Sequence, residues 1–108
     1  MNTLVSIDDI KANIRDNDIY VVVFTTKSCS VCKPLKEKLE KVLTKFDMVT
    51  IADVYIDDLE EAKGAYQVYT VPIILLFIQG QESKRYSAAM DIVEFEKTIR
   101  RYVELIGI

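Results

Sequence analysis

Ile19-Tyr20-Val21-Val22-Val23-Phe24-Thr25-Thr26 is a nearly continuous β-branched and aromatic run with no polar alternation. A strand that faces water on one side alternates apolar and polar residues. A run without alternation is the pattern of a strand buried on both faces. The chain therefore has to cover both sides of a sheet, and it has 108 residues to do so, the size of a single domain spanning 1–108. Half of its residues are apolar, enough for such a core.

The remaining segments supply the cover. Leu35, Leu39, Val42, Leu43 and Phe46 recur at helical spacing within about Ser30–Phe46, which predicts an amphipathic helix with Lys36, Glu37, Lys38, Glu40 and Lys41 as its solvated face. Ser6, followed by Asp8, Asp9, Ile10 and Ile14, reads as a capped short helix, with a short strand at Thr3–Val5 before it. Met48–Ile56 reads as a strand, and Asp58–Tyr66 as a short helix ending near Gly64. Val71–Ile78 is a second apolar strand with Pro72 at its start, where proline is tolerated. Gln79-Gly80-Gln81 is a turn into a polar edge strand, Glu82–Ser87, and Asp91 caps a last helix with Phe95 and Ile99 on its apolar face. This order predicts an α/β fold. Its central mixed β-sheet has a parallel part and a C-terminal antiparallel hairpin, with helices on both faces.

The two cysteines of the chain stand together in Cys29-Ser30-Val31-Cys32, directly after the buried run and before the long helix. Closing so short a loop removes little unfolded-state entropy, so the pairing points to chemistry rather than to stability. A helix N-terminus stabilises a thiolate, and Lys27 and Lys33 add positive charge. Residues 27–45 carry six Lys and two Glu on a chain of net charge −3, which gives no general case for nucleic acid. Zinc is the competing reading of a CxxC pair, but a site needs four ligands, and the chain has no histidine and no other cysteine. No cofactor and no metal are expected. Met1–Asp18 lacks the pattern of a signal peptide, and no apolar stretch is long enough to span a bilayer. The reading is of a cytoplasmic protein that does not engage membranes, in a compartment where disulfides are usually transient and catalytic.

CxxC after the second strand, Asp57 closing the middle strand, the Thr70-Val71-Pro72 triplet, Phe77 and Gly80 together resemble the thioredoxin family over essentially the whole chain. The Gly-Gly pair usual in glutaredoxins is replaced by Gln79-Gly80-Gln81-Glu82. The resemblance implies a thioredoxin fold and a thiol–disulfide oxidoreductase that reduces protein disulfides, with roles in cell redox homeostasis and electron transport. In that scheme Cys29 is the nucleophile and Cys32 the resolving thiol of a redox-active disulfide. Thr70, Val71 and Pro72, with a cis bond before Pro72, bind substrate as an added strand. Electrons come from a thioredoxin-reductase-type partner or a low-molecular-weight thiol. A trans proline opening the strand is the alternative at Pro72.

The centre departs from the family pattern. Ser28 replaces the family's tryptophan, Ser30-Val31 replaces Gly-Pro, and Val23 stands where an aspartate is buried behind the second cysteine. Asp53 stands where that aspartate's lysine partner lies. Two readings of Asp53 follow: an inward carboxyl serving as the proton-transfer residue for Cys32, or a solvated acid in an acid-rich segment. The same departures support a second functional reading, a thioredoxin-like binding or accessory module with weak or regulatory redox activity.

Overall fold

A computed structural model describes residues 1–107. In chain order the elements are β1 (Asn2–Thr3), α1 (Ile7–Asp16), β2 (Ile19–Thr25), α2 (Cys32–Leu43), β3 (Val49–Tyr55), α3 (Glu61–Tyr66), β4 (Ile73–Ile78), β5 (Gln81–Ser87) and α4 (Ile92–Ile106). They build one sheet in the order β1-β3-β2-β4-β5. β1, β3 and β2 run parallel, while β4 and β5 are antiparallel to their neighbours. This is a thioredoxin fold.

β2 is central, and all seven of its residues are buried. Its side chains alternate between two cores, as a pleated strand requires. Tyr20, Val22 and Phe24 join Ile10, Ile14, Ala52, Val54 and Leu75 on one face. Ile19, Val21 and Val23 join Leu35, Leu39, Ile74, Phe95 and Ile99 on the other. Phe24 and Tyr66 stack with ring centroids 5.7 Å apart, and Tyr66 meets Phe77 edge-on at 6.3 Å. These contacts seat α3 on the first face.

Local chemistry explains the ends of the elements. Ser6 accepts a hydrogen bond from the Asp9 N–H, and Asp91 accepts from Val93 and Glu94, so both helices begin on a side-chain cap. Gln79 and Gly80 take positive φ (49° and 83°), the geometry of a tight two-residue hairpin turn. Several boundaries differ from the sequence reading. The first strand lies at Asn2–Thr3 rather than Thr3–Val5, and the strand after Pro72 begins only at Ile73. α2 begins at Cys32 instead of near Ser30, which puts Pro34 in the first turn, where its missing N–H costs no helical bond. α3 begins at Glu61 rather than Asp58; it ends at Tyr66, the last residue of the sequence reading, and closes on Gln67 in the left-handed region (φ 52°). Arg85 donates to the Tyr66 and Gln67 carbonyls there, both at 2.7 Å, and satisfies that helix end from across β5.

Candidate functional site

β2 delivers the chain to the cysteines, and the parallel register with β3 decides what surrounds them. After Thr25 the chain bends, with the Cys29 N–H donating to the Thr26 carbonyl at 3.3 Å. The Lys27 N–H is held by the Asp57 carboxylate at 3.2 Å, and the Lys27 ammonium by Asp58 at 2.7 Å. The loop before the cysteines is thus tied to the end of β3. Cys29 and Cys32 are joined by a disulfide, with Cα atoms 5.4 Å apart.

The two sulfurs are not equivalent. Cys32 opens α2 and is 1 % exposed, whereas Cys29 lies in the preceding bend and is only half-buried. A nucleophile must be reached by its substrate; a resolving thiol need only reach its neighbour. Both cysteines line an open cleft of about 640 Å³ with Thr25, Thr26, Lys33 and Lys36. Thr3, Lys27, Tyr55 and Asp58 complete the cleft wall.

The Val71–Pro72 bond is cis, as the resemblance implied. Phe24 pairs with Ile73, so Pro72 lies one step beyond the last β2–β4 pair, at the end of the sheet where β2 feeds the cysteines. Pro72 is buried, Val71 half-buried and Thr70 exposed. An unpaired stretch of backbone therefore reaches the surface at the cysteine end.

Asp53 is 5 % exposed, which overturns its reading as a solvated acid. It pairs in register with Val23 on one side and Thr3 on the other, so all three side chains point to the α2 face. Both of its carboxylate oxygens are engaged. Thr3 Oγ1 donates to Oδ1 at 2.6 Å, and the Lys36 ammonium donates to Oδ2 at 2.9 Å. Lys36 also donates to the Tyr55 hydroxyl at 3.2 Å and sits 5.0 Å from that ring's centre. Burial pulls the Lys36 pKa down, but its hydrogen bonds to Asp53 and Tyr55 outweigh this and hold it above the ordinary lysine value.

Lys36 is thus a second correction. The helical pattern put it on the solvated face of α2, yet its side chain is 15 % exposed and its partner's 7 %. Sequence reasoning missed Lys36 and Tyr55 as site residues. The available signals were spacing: Lys36 is one helical turn beyond Cys32, and Tyr55 is two residues from Asp53 on the same strand face. Among the described residues, no cluster of three or more metal-ligating side chains is arranged to hold an ion, and no helix is long and apolar enough to cross a membrane.

The chain as a whole is similar to known proteins. The family model of thioredoxin matches residues 3–101. The chain is 29% identical over 105 residues to the thioredoxin-like protein YdfQ of Bacillus subtilis, covering 97% of this chain and 91% of that one. It is 29% identical over 104 residues to mitochondrial thioredoxin-2 of Schizosaccharomyces pombe, covering 96% and 77%. Among solved structures, oxidised mitochondrial thioredoxin 3 of Saccharomyces cerevisiae superimposes with a TM-score of 0.82 at 22% identity, covering 94% of each chain. Fasciola hepatica thioredoxin does so with a TM-score of 0.80 at 28% identity, covering 94% and 99%. With its Cys29–Cys32 pair in a redox-active centre of the CxxC type, the chain belongs to the thioredoxin family.

Proposed function

We propose that the protein reduces protein disulfides through a dithiol/disulfide cycle. The observation that carries this reading is the asymmetry of the pair: an accessible Cys29 at the cleft and a buried Cys32 one turn deeper. The Cys29 thiolate attacks a substrate disulfide and forms a mixed disulfide. Cys32 then attacks Cys29, restores the internal disulfide and releases reduced substrate. Thr70, Val71 and Pro72 receive the substrate backbone alongside the cysteines, in the manner of an added strand. A reductase of the thioredoxin-reductase type or a low-molecular-weight thiol returns the electrons. A reducing compartment such as the cytoplasm suits this direction.

The test is reduction of insulin disulfides by the wild-type protein and by Cys29→Ser. Activity in the first and its loss in the second is the expected result. Cys32→Ser should accumulate mixed disulfides with true substrates, because the first attack proceeds and the release does not. One observation favours a second reading, an accessory module with weak redox activity: Val23 is completely buried where the family's acid stands, so that proton-handling group is missing. An inactive wild type, given a competent reductant, would select the module.

A further inference from the structure

The pair behind Cys32 is built in an order that changes which charge the thiol meets. Lys36 follows Cys32 on α2 by four residues, so the two side chains share a helix face with Cβ atoms about 5–6 Å apart. Asp53 comes from β3 and reaches that face only through Lys36 and Thr3, with one oxygen committed to each. Lys36 and Cys32 both line the cleft. A carboxylate beside a thiol opposes its ionisation, whereas an ammonium favours it.

We propose that Lys36 supplies the cation of the resolving step, and that Asp53 and Tyr55 are positioning residues that hold its ammonium beside Cys32. This rests on the oxidoreductase reading and adds the group that eases ionisation of the resolving thiol. In the mixed disulfide the Cys32 thiol gives its proton to cleft water, and Lys36 stabilises the thiolate left behind. Cys32 Sγ attacks Cys29 Sγ, the Cys29–substrate bond breaks, and the electron pair leaves on the substrate sulfur. That sulfur takes up a proton from water, so protons and electrons balance and Lys36 keeps its charge throughout.

The surrounding charges fit this assignment. On β3, Asp53 and Tyr55 both face Lys36; on β1, Thr3 is neutral. In the loops, Lys27 is neutralised by Asp58. On α2 itself, Glu40 lies a turn beyond Lys36 and is held by the Met1 ammonium at 3.0 Å, while the exposed Lys33 adds positive charge next to Cys32.

The test uses Cys29→Ser, which leaves Cys32 as the sole cysteine, and follows its titration by ultraviolet thiolate absorbance. Lys36→Met, which keeps the aliphatic stem, should raise the Cys32 pKa by about one unit, and Lys36→Arg should restore it. Asp53→Asn should lower it, because the amide oxygen still accepts from Lys36 and keeps the ammonium in place while the cation is no longer offset; this variant carries the test if Lys36→Met does not fold. In the two-cysteine protein, Lys36→Met should slow release of the second thionitrobenzoate from Ellman's reagent about threefold near neutral pH, because the smaller thiolate fraction is partly offset by the greater nucleophilicity of a thiolate of higher pKa. An unmoved titration in Lys36→Met, or an upward shift in Asp53→Asn, overturns the proposal. So does slower release in folded Asp53→Asn, which would make Asp53 the proton acceptor. The titration reads Cys32 whether or not the protein reduces insulin, so failure of this proposal and failure of the oxidoreductase reading are separate results.

Discussion

The two faces of the sheet are built from the same strands and do different work. The face under α1 and α3 is apolar throughout its buried cluster, from Ile10 and Tyr20 to Val54 and Phe77. The face under α2 and α4 is equally apolar at its centre, at Leu39, Ile74, Phe95 and Ile99. At its β1 edge, however, it admits a carboxylate and a phenol hydroxyl, both accepting from one ammonium beside the cysteines. A sheet can tolerate charge where one wall is an open cleft and every polar atom has a partner. The lesson is that the redox pair stands at the rim of a core, where burial is sufficient to sharpen electrostatics and insufficient to exclude water.

The comparison is tested most strongly by cutting each core at its centre. Phe24→Ala and Phe95→Ala each remove a completely buried ring, and each should cost about 3–5 kcal/mol in urea unfolding. A cost under about 1 kcal/mol on either side would mean that face is not a packed core. At the rim the pattern should be non-additive. Asp53→Leu leaves Lys36 and Thr3 without their partner and should cost about 1–3 kcal/mol, whereas adding Lys36→Met should recover most of that loss. Additive costs in the double-mutant cycle would show that the two side chains are not coupled.

The smallest effect appears only in alkali. Burial of Tyr20 on the first face pushes its pKa from 10.0 up to about 12. The native state then holds the phenol proton more tightly than the unfolded chain does. Its contribution is complete below pH 10.0 and is lost as the pH climbs towards about 12. Thermal melts over that window should show a decline that is shallower in Tyr20→Phe. An equally steep decline in the variant would assign it to other groups, with Tyr66 and Tyr86, also raised by burial, as the next candidates.

How legible each region was follows from the range of the forces that form it. β2 and the apolar stripe of α2 could be read directly, because period-two and period-3.6 patterns are local records of burial. The Ser6 and Asp91 caps were equally plain, since a cap bonds an amide only two or three residues away. What closes α3 was not. Tyr66 stood as the last residue of that helix, but the closure depends on Gln67 entering the left-handed region and on Arg85 reaching across from β5, and neither is written near Gly64. Lys36 was misread for the same reason. Helical periodicity assigns it to the outer face, and only the neighbouring strand reveals an acid within its reach.

By itself, the sequence determined that a strand buried on both faces delivers two cysteines to a helix N-terminus, and that Val71-Pro72 leads into a later strand. These features are set by neighbours along the chain. The tertiary structure decided which cysteine is buried, that Asp53 turns inward, and that Lys36 rather than solvent is its partner. Those outcomes depend on the register of β3 against β2 and β1 and on the seating of α2, and they join residues 17 and 50 positions apart. Distant side chains meet through packing, and charge placed by packing leaves no periodic trace in the sequence.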